Sequence, residues 1–180
     1  MNLHEIDAEI DLYKDKIDNE ISKVNLRIFD EFKLAQFSKL NVNELNFPGI
    51  YLFEIDMGVP DSFDEWSSEF LERWQDDEYR RNFTPNSRKI RLDYHRENTL
   101  SGWLPLYLGR SKDIGRRVHS HLNIELKKPT TALKLLARKN MYKERFRLRF
   151  LKVAVNNYDF IMPYVEMKLR DRFNPILGRQ

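Results

Sequence analysis

The chain has 180 residues, 41% hydrophobic and 13% aromatic, which suits one globular domain with a real core and excludes a disordered chain. It contains no cysteine, so a disulfide framework, a thiolate zinc site and a cysteine nucleophile are excluded, and a reducing cytoplasm is the expected setting. The net charge of +3 hides an asymmetry: residues 101–180 carry 18 Lys and Arg against 6 Asp and Glu, net +12, while residues 1–100 carry 13 against 22, net −9. A basic half of this kind is expected to face a polyanion.

The start, MNLHEIDAEIDLYK, lacks an apolar signal core, and no run of 18 apolar residues exists; neither a secretory signal nor a membrane span is expected. Leu3, Ile6, Ile10, Tyr13, Ile17, Ile21 and Val24 recur at three- and four-residue steps, which predicts an amphipathic helix that can run on through Phe29 and Phe32 to Leu34. Pro48 and Gly49 stop that segment and launch a strand, IYLFEI. Asp61 or Ser62 can cap a helix with Trp66, Phe70 and Trp74 on one face. Residues 82–102 read as a loop with a short ribbon around KIRLDY. WLPLYLG is the next strand, and Pro105 places it at an edge or a strand start.

Asp113 is the expected N-cap of a helix, IGRRVHSHLNIEL, which Pro129 breaks. Thr130 or Thr131 can cap another, ALKLLARK. In RFRLRFLKVAV, Phe146, Leu148 and Phe150 alternate with Arg145, Arg147 and Arg149, the pattern of a half-buried strand with a basic outer face. IMPYVEMKLRDRF is a helix with Pro163 in its first turn, ended by Asn174 and Pro175. The sum is an α+β fold, divided into an N-terminal helical extension over 1–46 and a second unit over 47–180 with an insert over 56–102.

The chemistry-bearing stretch is YLGRSKDIGRRVHSHL. Tyr107 ends a strand, Gly109 and Ser111 turn, and Arg117 and His121 lie four apart on one face of the following helix. On these residues the chain resembles the GIY-YIG nuclease superfamily. Its first triplet is Gly49, Ile50 and Tyr51, and its second is Tyr107, Leu108 and Gly109. Ser111, Asp113 and Ile114 follow, then Arg117 and His121 at ten and fourteen residues past Tyr107. The family's Glu-x-x-Leu with a later Pro is matched by Glu166, Leu169 and Pro175. The resemblance covers residues 47–55 and 103–180.

Three departures accompany it. Leu108 stands for Ile. Tyr51 and Tyr107 are 56 residues apart instead of on a short hairpin. Gly178 stands where the family often has Asn, with Asn174 before the Pro instead.

The resemblance implies a small three-stranded antiparallel sheet flanked by helices. It also implies hydrolysis of a DNA phosphodiester with one divalent ion, Mg²⁺ with Mn²⁺ able to substitute, held by Glu166. Arg117 would meet the charge that builds on the phosphoryl oxygens. Tyr51 or Tyr107 would handle the attacking water, and Tyr51 supported by His121 is the preferred pair. His119 has no role in this reading.

Fourteen residues follow Glu166, so no C-terminal DNA-binding module is expected. Compact members of this kind resemble type II restriction endonucleases, which act as homodimers on double-stranded DNA. A partner-dependent nuclease of repair or phage defence, or a non-catalytic DNA-binding module, are the alternatives. Lys112, Arg116, Lys127, Lys128, Lys134 and Arg138, with Lys139, Arg147 and Arg149, are expected to engage phosphates. Arg88, Lys89 and Arg91, in NSRKIRLDYHREN, are the expected base readers.

Overall fold

A computed structural model describes residues 2–60, 62–81, 83–98 and 102–178, apart from the side chains of 37–39. The elements are α1 (Leu3–Lys23), β1 (Arg27–Lys33), β2 (Gly49–Asp56), α2 (Phe63–Gln75), α3 (Lys89–Asn98), β3 (Trp103–Ser111), α4 (Ile114–Asn123), β4 (Arg145–Lys152) and α5 (Tyr158–Phe173), with short 3₁₀ turns between some of them. The fold is α+β, as expected. Its sheet has four antiparallel strands in the order β1-β4-β2-β3, one more than the three anticipated.

The additional strand is β1. It was expected to be the end of a long N-terminal helix. Instead α1 stops at Lys23 with Val24 extended, and residues 27–33 pair with β4. Phe29 and Phe32 sit three apart, the spacing of a helix face. A bulge between Ile28 and Asp30 inserts an odd residue, which is how both rings pack against one core from an extended chain.

Central strand β2 is buried along nearly its whole length, as befits a strand with neighbours on both sides and helices on both faces. Tyr51, Phe53 and Ile55 point to one face, where they meet Phe146 and Leu148 of β4, Ile114 and Val118 of α4, and Phe70 and Trp74 of α2. Ile50 and Leu52 point to the other face and meet Met162, Val165 and Leu169 of α5 and Ile21 of α1. Each fully buried side chain of this kind contributes about 1.5–3 kcal/mol. Gly49 opens β2 because β4 passes too close for a side chain: a Cβ there would lie 2.0 Å from the Leu151 carbonyl oxygen.

Pro105 lies in edge strand β3, where its missing N–H is harmless. Its carbonyl accepts from Ile176 N at 3.0 Å, and that of Leu106 from Leu177 N at 2.9 Å. Ser87 in turn bridges Leu177. The segment after α5 thus lies along β3, and the insert lies along that segment.

Three further expectations change. KIRLDY belongs to helix α3, not a ribbon: Arg91, Leu92 and His95 are its buried positions. ALKLLARK forms only 3₁₀ turns at Leu135–Ala137 and Lys139–Met141, because Lys134 is left-handed, at φ 59°, and Ala132, Leu133 and Leu135 are all buried. Helix α5 starts at Tyr158, which puts Pro163 in the second turn. Ser62 caps α2 by accepting from Asp64 N at 3.2 Å; Asp61, the other candidate cap, lies outside the described residues.

Candidate active site

Two strands, one turn and two helices bring the site together. Tyr51 faces across from β2, and its neighbour in the β3 register is Gly109. A Cβ at Gly109 would lie 2.4 Å from Tyr51 Oη, so only glycine leaves room for the phenol. The chain then turns through Ser111, whose Oγ donates to the Asp113 carbonyl at 2.6 Å and accepts from Asp113 N at 3.1 Å. Asp113 caps α4 by accepting from Arg116 N at 2.9 Å. That fixed start aims Arg117 and His121 back over the strand ends.

His121 is fully buried and sits 2.8 Å from Tyr51 Oη through Nε2. Its Nδ1 accepts from the Leu133 N–H at 3.0 Å. A neutral ring with an accepting Nδ1 carries its proton on Nε2, so His121 donates to Tyr51. Burial, with the charge of Arg117 next, pushes the His121 pKa well below its ordinary value, and the ring stays neutral. Tyr107 lies 4.8 Å from the same ring, centroid to centroid, and 6.4 Å from Tyr51.

Burial also raises the Tyr51 pKa well above the usual phenol value; Tyr107 adds to the rise and Arg117 opposes it. For Arg117, burial acts to lower the pKa, but coupling to the Tyr51 and Tyr107 phenols raises it on balance, so the guanidinium remains a cation. Its Nη2 donates to Thr131 Oγ1 at 3.3 Å.

Glu166 reaches the same region from α5. Its Oε2 accepts from Arg110 Nε at 2.9 Å and its Oε1 from Arg170 Nη2 at 2.7 Å. A cleft of about 500 Å³ is lined by Tyr107, Glu166, Arg170 and Thr131 on one side and by Phe83, Thr84, Asn86 and Arg88 of the insert on the other. Tyr51 is 1% exposed and is not part of that lining.

Among the described residues no three His, Asp or Glu side chains cluster as a metal cage. Glu166 alone is a donor set that suits Mg²⁺, which keeps several waters and takes one or two carboxylates. An ion there would have to share Glu166 with Arg110 or Arg170.

The five residues singled out from the sequence therefore divide. Tyr51, Tyr107, Arg117 and His121 form one contiguous group, and Glu166 shares the lining of the cleft with Tyr107. The expected nucleic-acid contacts divide too. Lys112, Arg116, Lys127, Lys128 and Lys89 are exposed, and Lys112 pairs with Asp159 at 2.7 Å.

Lys134, Arg138 and Arg91 are interior groups. Lys134 Nζ donates to the Leu126 and Lys128 carbonyls at 2.9 and 2.7 Å. Arg91 donates to the Pro175 carbonyl at 2.8 Å. Arg138 donates to the Leu133, Trp74 and Tyr79 carbonyls and lies 3.8 Å over the Trp74 ring; burial lowers its pKa to about 10. Arg147 and Arg149 are tied to buried Glu54, at 2.5 and 3.4 Å. None of these five presents a free basic face. Asn174 is the left-handed C-cap of α5, and its carbonyl bonds His95 Nε2 at 2.8 Å.

Asn86 and Arg88, from the stretch expected to read bases, do line the cleft. The sequence reading missed Phe83, Thr84 and Pro85 of the same wall, since a turn between two helices gives no local signal. It also missed Leu133 and Thr131, whose contributions are a backbone N–H and a hydroxyl. No family model, curated protein or solved structure matches the chain.

Proposed function

We propose that the protein is a divalent-metal-dependent DNA endonuclease of the GIY-YIG type, a site-specific type II restriction enzyme that cuts double-stranded DNA as a homodimer in the cytoplasm. The observation that carries this reading is the hydrogen-bonded Tyr51–His121 pair beside Tyr107 and Arg117, with Glu166 beside Tyr107 in the lining of the adjoining cleft. A phosphodiester needs an oriented water, a cation for the phosphoryl oxygens and a place for the released proton.

Arg117 supplies the cation as a planar fork. Tyr107, which lines the cleft, meets the water and would take its proton in the phenolate form, returning to the neutral phenol; a base must lie within hydrogen-bond reach of the proton it takes. Tyr51 was the phenol preferred on sequence grounds, but its burial and raised pKa fit it to hold Tyr107 and His121 in place. Neutral His121 fixes the Tyr51 hydroxyl through its Nε2 proton. Glu166 would hold Mg²⁺, which supplies Lewis-acid stabilisation when bound.

A second reading has its own support. Both Glu166 oxygens are engaged by arginines, which favours a DNA-binding module without catalysis. Plasmid DNA incubated with Mg²⁺ separates the two. Discrete fragments are expected, and Glu166→Ala should lower the cleavage rate by at least about 10²-fold while duplex binding persists. Cutting by Glu166→Ala at the parent rate would remove Glu166 from the reaction. Binding without cutting under either Mg²⁺ or Mn²⁺ would support the module, and cutting only with an added partner protein would support the repair or defence role.

A further inference from the structure

We propose that residues 83–88 form a nucleotide subsite beside the scissile phosphate, in which Arg88 holds a neighbouring phosphate and Asn86 contacts a base edge; this rests on the nuclease reading above. Of the stretch expected to read bases, residues 89–98 fold as α3, whose basic side chains are largely engaged within the protein, with Lys89 exposed. In α3, Arg91 and His95 are buried against the end of α5, and Arg96 is paired with Asp64 and Asp93. The part of the insert that does line the catalytic cleft is the preceding turn.

That turn is tied to two elements, the 176–178 segment and α2. Asn86 O accepts from Gly178 N at 3.0 Å and Arg88 N donates to Ile176 O at 2.9 Å. Pro85 O accepts from Trp74 Nε1 at 2.9 Å, and Ser87 Oγ bonds Gln75 at 3.0 Å. Because Ile176 and Leu177 bond the Pro105 and Leu106 carbonyls of β3, immediately before Tyr107 in the chain, the turn is indexed to the strand that carries Tyr107. A site that is pre-formed in this way binds at a lower ordering cost.

Its chemistry fits one nucleotide. Arg88 donates Nε to the Gly178 carbonyl at 2.7 Å, which fixes the plane of its guanidinium. Among the described residues no carboxylate lies within 4.0 Å of it, in contrast to Arg110 and Arg170, which Glu166 neutralises. A half-buried, uncompensated guanidinium in a cleft seeks an anion, and phosphate accepts its fork. Asn86 is exposed with its side-chain amide unbonded among the described residues, and an amide of this kind can pair with the N6 and N7 edge of adenine. Phe83 leaves 48% of its surface exposed at the same wall, an apolar face for a sugar or base.

Glu166→Ala serves as a background that binds without cutting. On it, affinity for a short fluorescein-labelled duplex of mixed sequence is measured across a salt series for Arg88 and for Arg88→Gln. Loss of the charge is expected to weaken binding about tenfold and to reduce the slope of log affinity against log salt by about one. On the otherwise unchanged protein, Asn86→Ala is expected to keep bulk affinity within about twofold while redistributing the cut positions on DNA of known sequence.

Equal affinity and salt slope for Arg88→Gln, with an unchanged cutting pattern for Asn86→Ala, would overturn the subsite while leaving the nuclease intact. A parent that neither binds nor cuts DNA would overturn both. Equal weakening for inorganic phosphate alone, with no effect on the duplex, would reduce the site to a simple anion pocket and also reject the proposal.

Discussion

At the scale of single residues, the candidate site depends on one glycine and one backbone N–H as much as on its polar side chains. Gly109 gives the Tyr51 hydroxyl its space, and the Leu133 N–H decides which nitrogen of His121 carries the proton. Gly109→Ala would drive a methyl group into Tyr51 Oη and Cζ, at 2.4 and 2.6 Å. Overpacking of this kind costs about 1–3 kcal/mol, so the variant should fold. Its cleavage rate should nevertheless fall at least about 10²-fold, because small misplacements are costly at a reacting centre. Single-turnover cleavage beside a thermal melt checks this; a folded variant that cuts at the parent rate would show that Tyr51 need not sit where it does.

At the scale of elements, Arg138 links the insert to the site. Its guanidinium joins the Trp74 and Tyr79 carbonyls to that of Leu133, whose N–H holds His121. Arg138→Met keeps much of the volume and removes three charge-assisted hydrogen bonds, which contribute about 1.5–3 kcal/mol each when well formed. A loss of about 3 kcal/mol or more in urea unfolding is expected, and a loss under 1 kcal/mol would mean that the link is slack.

Periodicity made β2, β3, β4, α4 and α5 legible in the sequence, and helical spacing paired Arg117 with His121, while only the resemblance to the GIY-YIG pattern joined Tyr51 and Tyr107 to them. What stayed hidden had physical disguises. The bulge in β1 gave Phe29 and Phe32 a helical spacing. The inward residues of α3 include an arginine and a histidine, buried because they serve the carbonyls that end α5. Lys134, Arg138 and Arg91 looked like surface charge for the same reason: a basic residue in a sequence does not say whether its partner is water or a buried carbonyl.

For the molecule as a whole, the buried histidines set an acid limit. Burial lowers the pKa of His121 and of His95, the latter against opposing backbone hydrogen bonds. The unfolded chain therefore binds more protons than the folded one once pH drops below the ordinary histidine value of about 6.5. Stability then rises with pH in that window and is lost as pH falls, by up to about 1.4 kcal/mol per pH unit for each group. Thermal melts between pH 7.5 and 5 should fall steadily in midpoint, to be compared at constant ionic strength. A flat profile would require both imidazoles to be charged in the fold. The α1 helix enters the same comparison only weakly, since Ile21 is its one buried residue.

The strip formed by residues 176–178 along β3 and by Ser87 beyond it also governs how the molecules behave toward one another. An edge strand is a template for another chain, and here one of the two edges is partly covered from within the same polypeptide. The other edge, β1, is bulged and presents Arg27, Asp30, Glu31 and Lys33 to solvent. Strand-to-strand polymerisation is thereby opposed on both sides. A segment placed to frame a cleft doubles as protection against fibre growth, so shortening the chain before Ile176 would uncover β3 to its neighbours as well as to solvent.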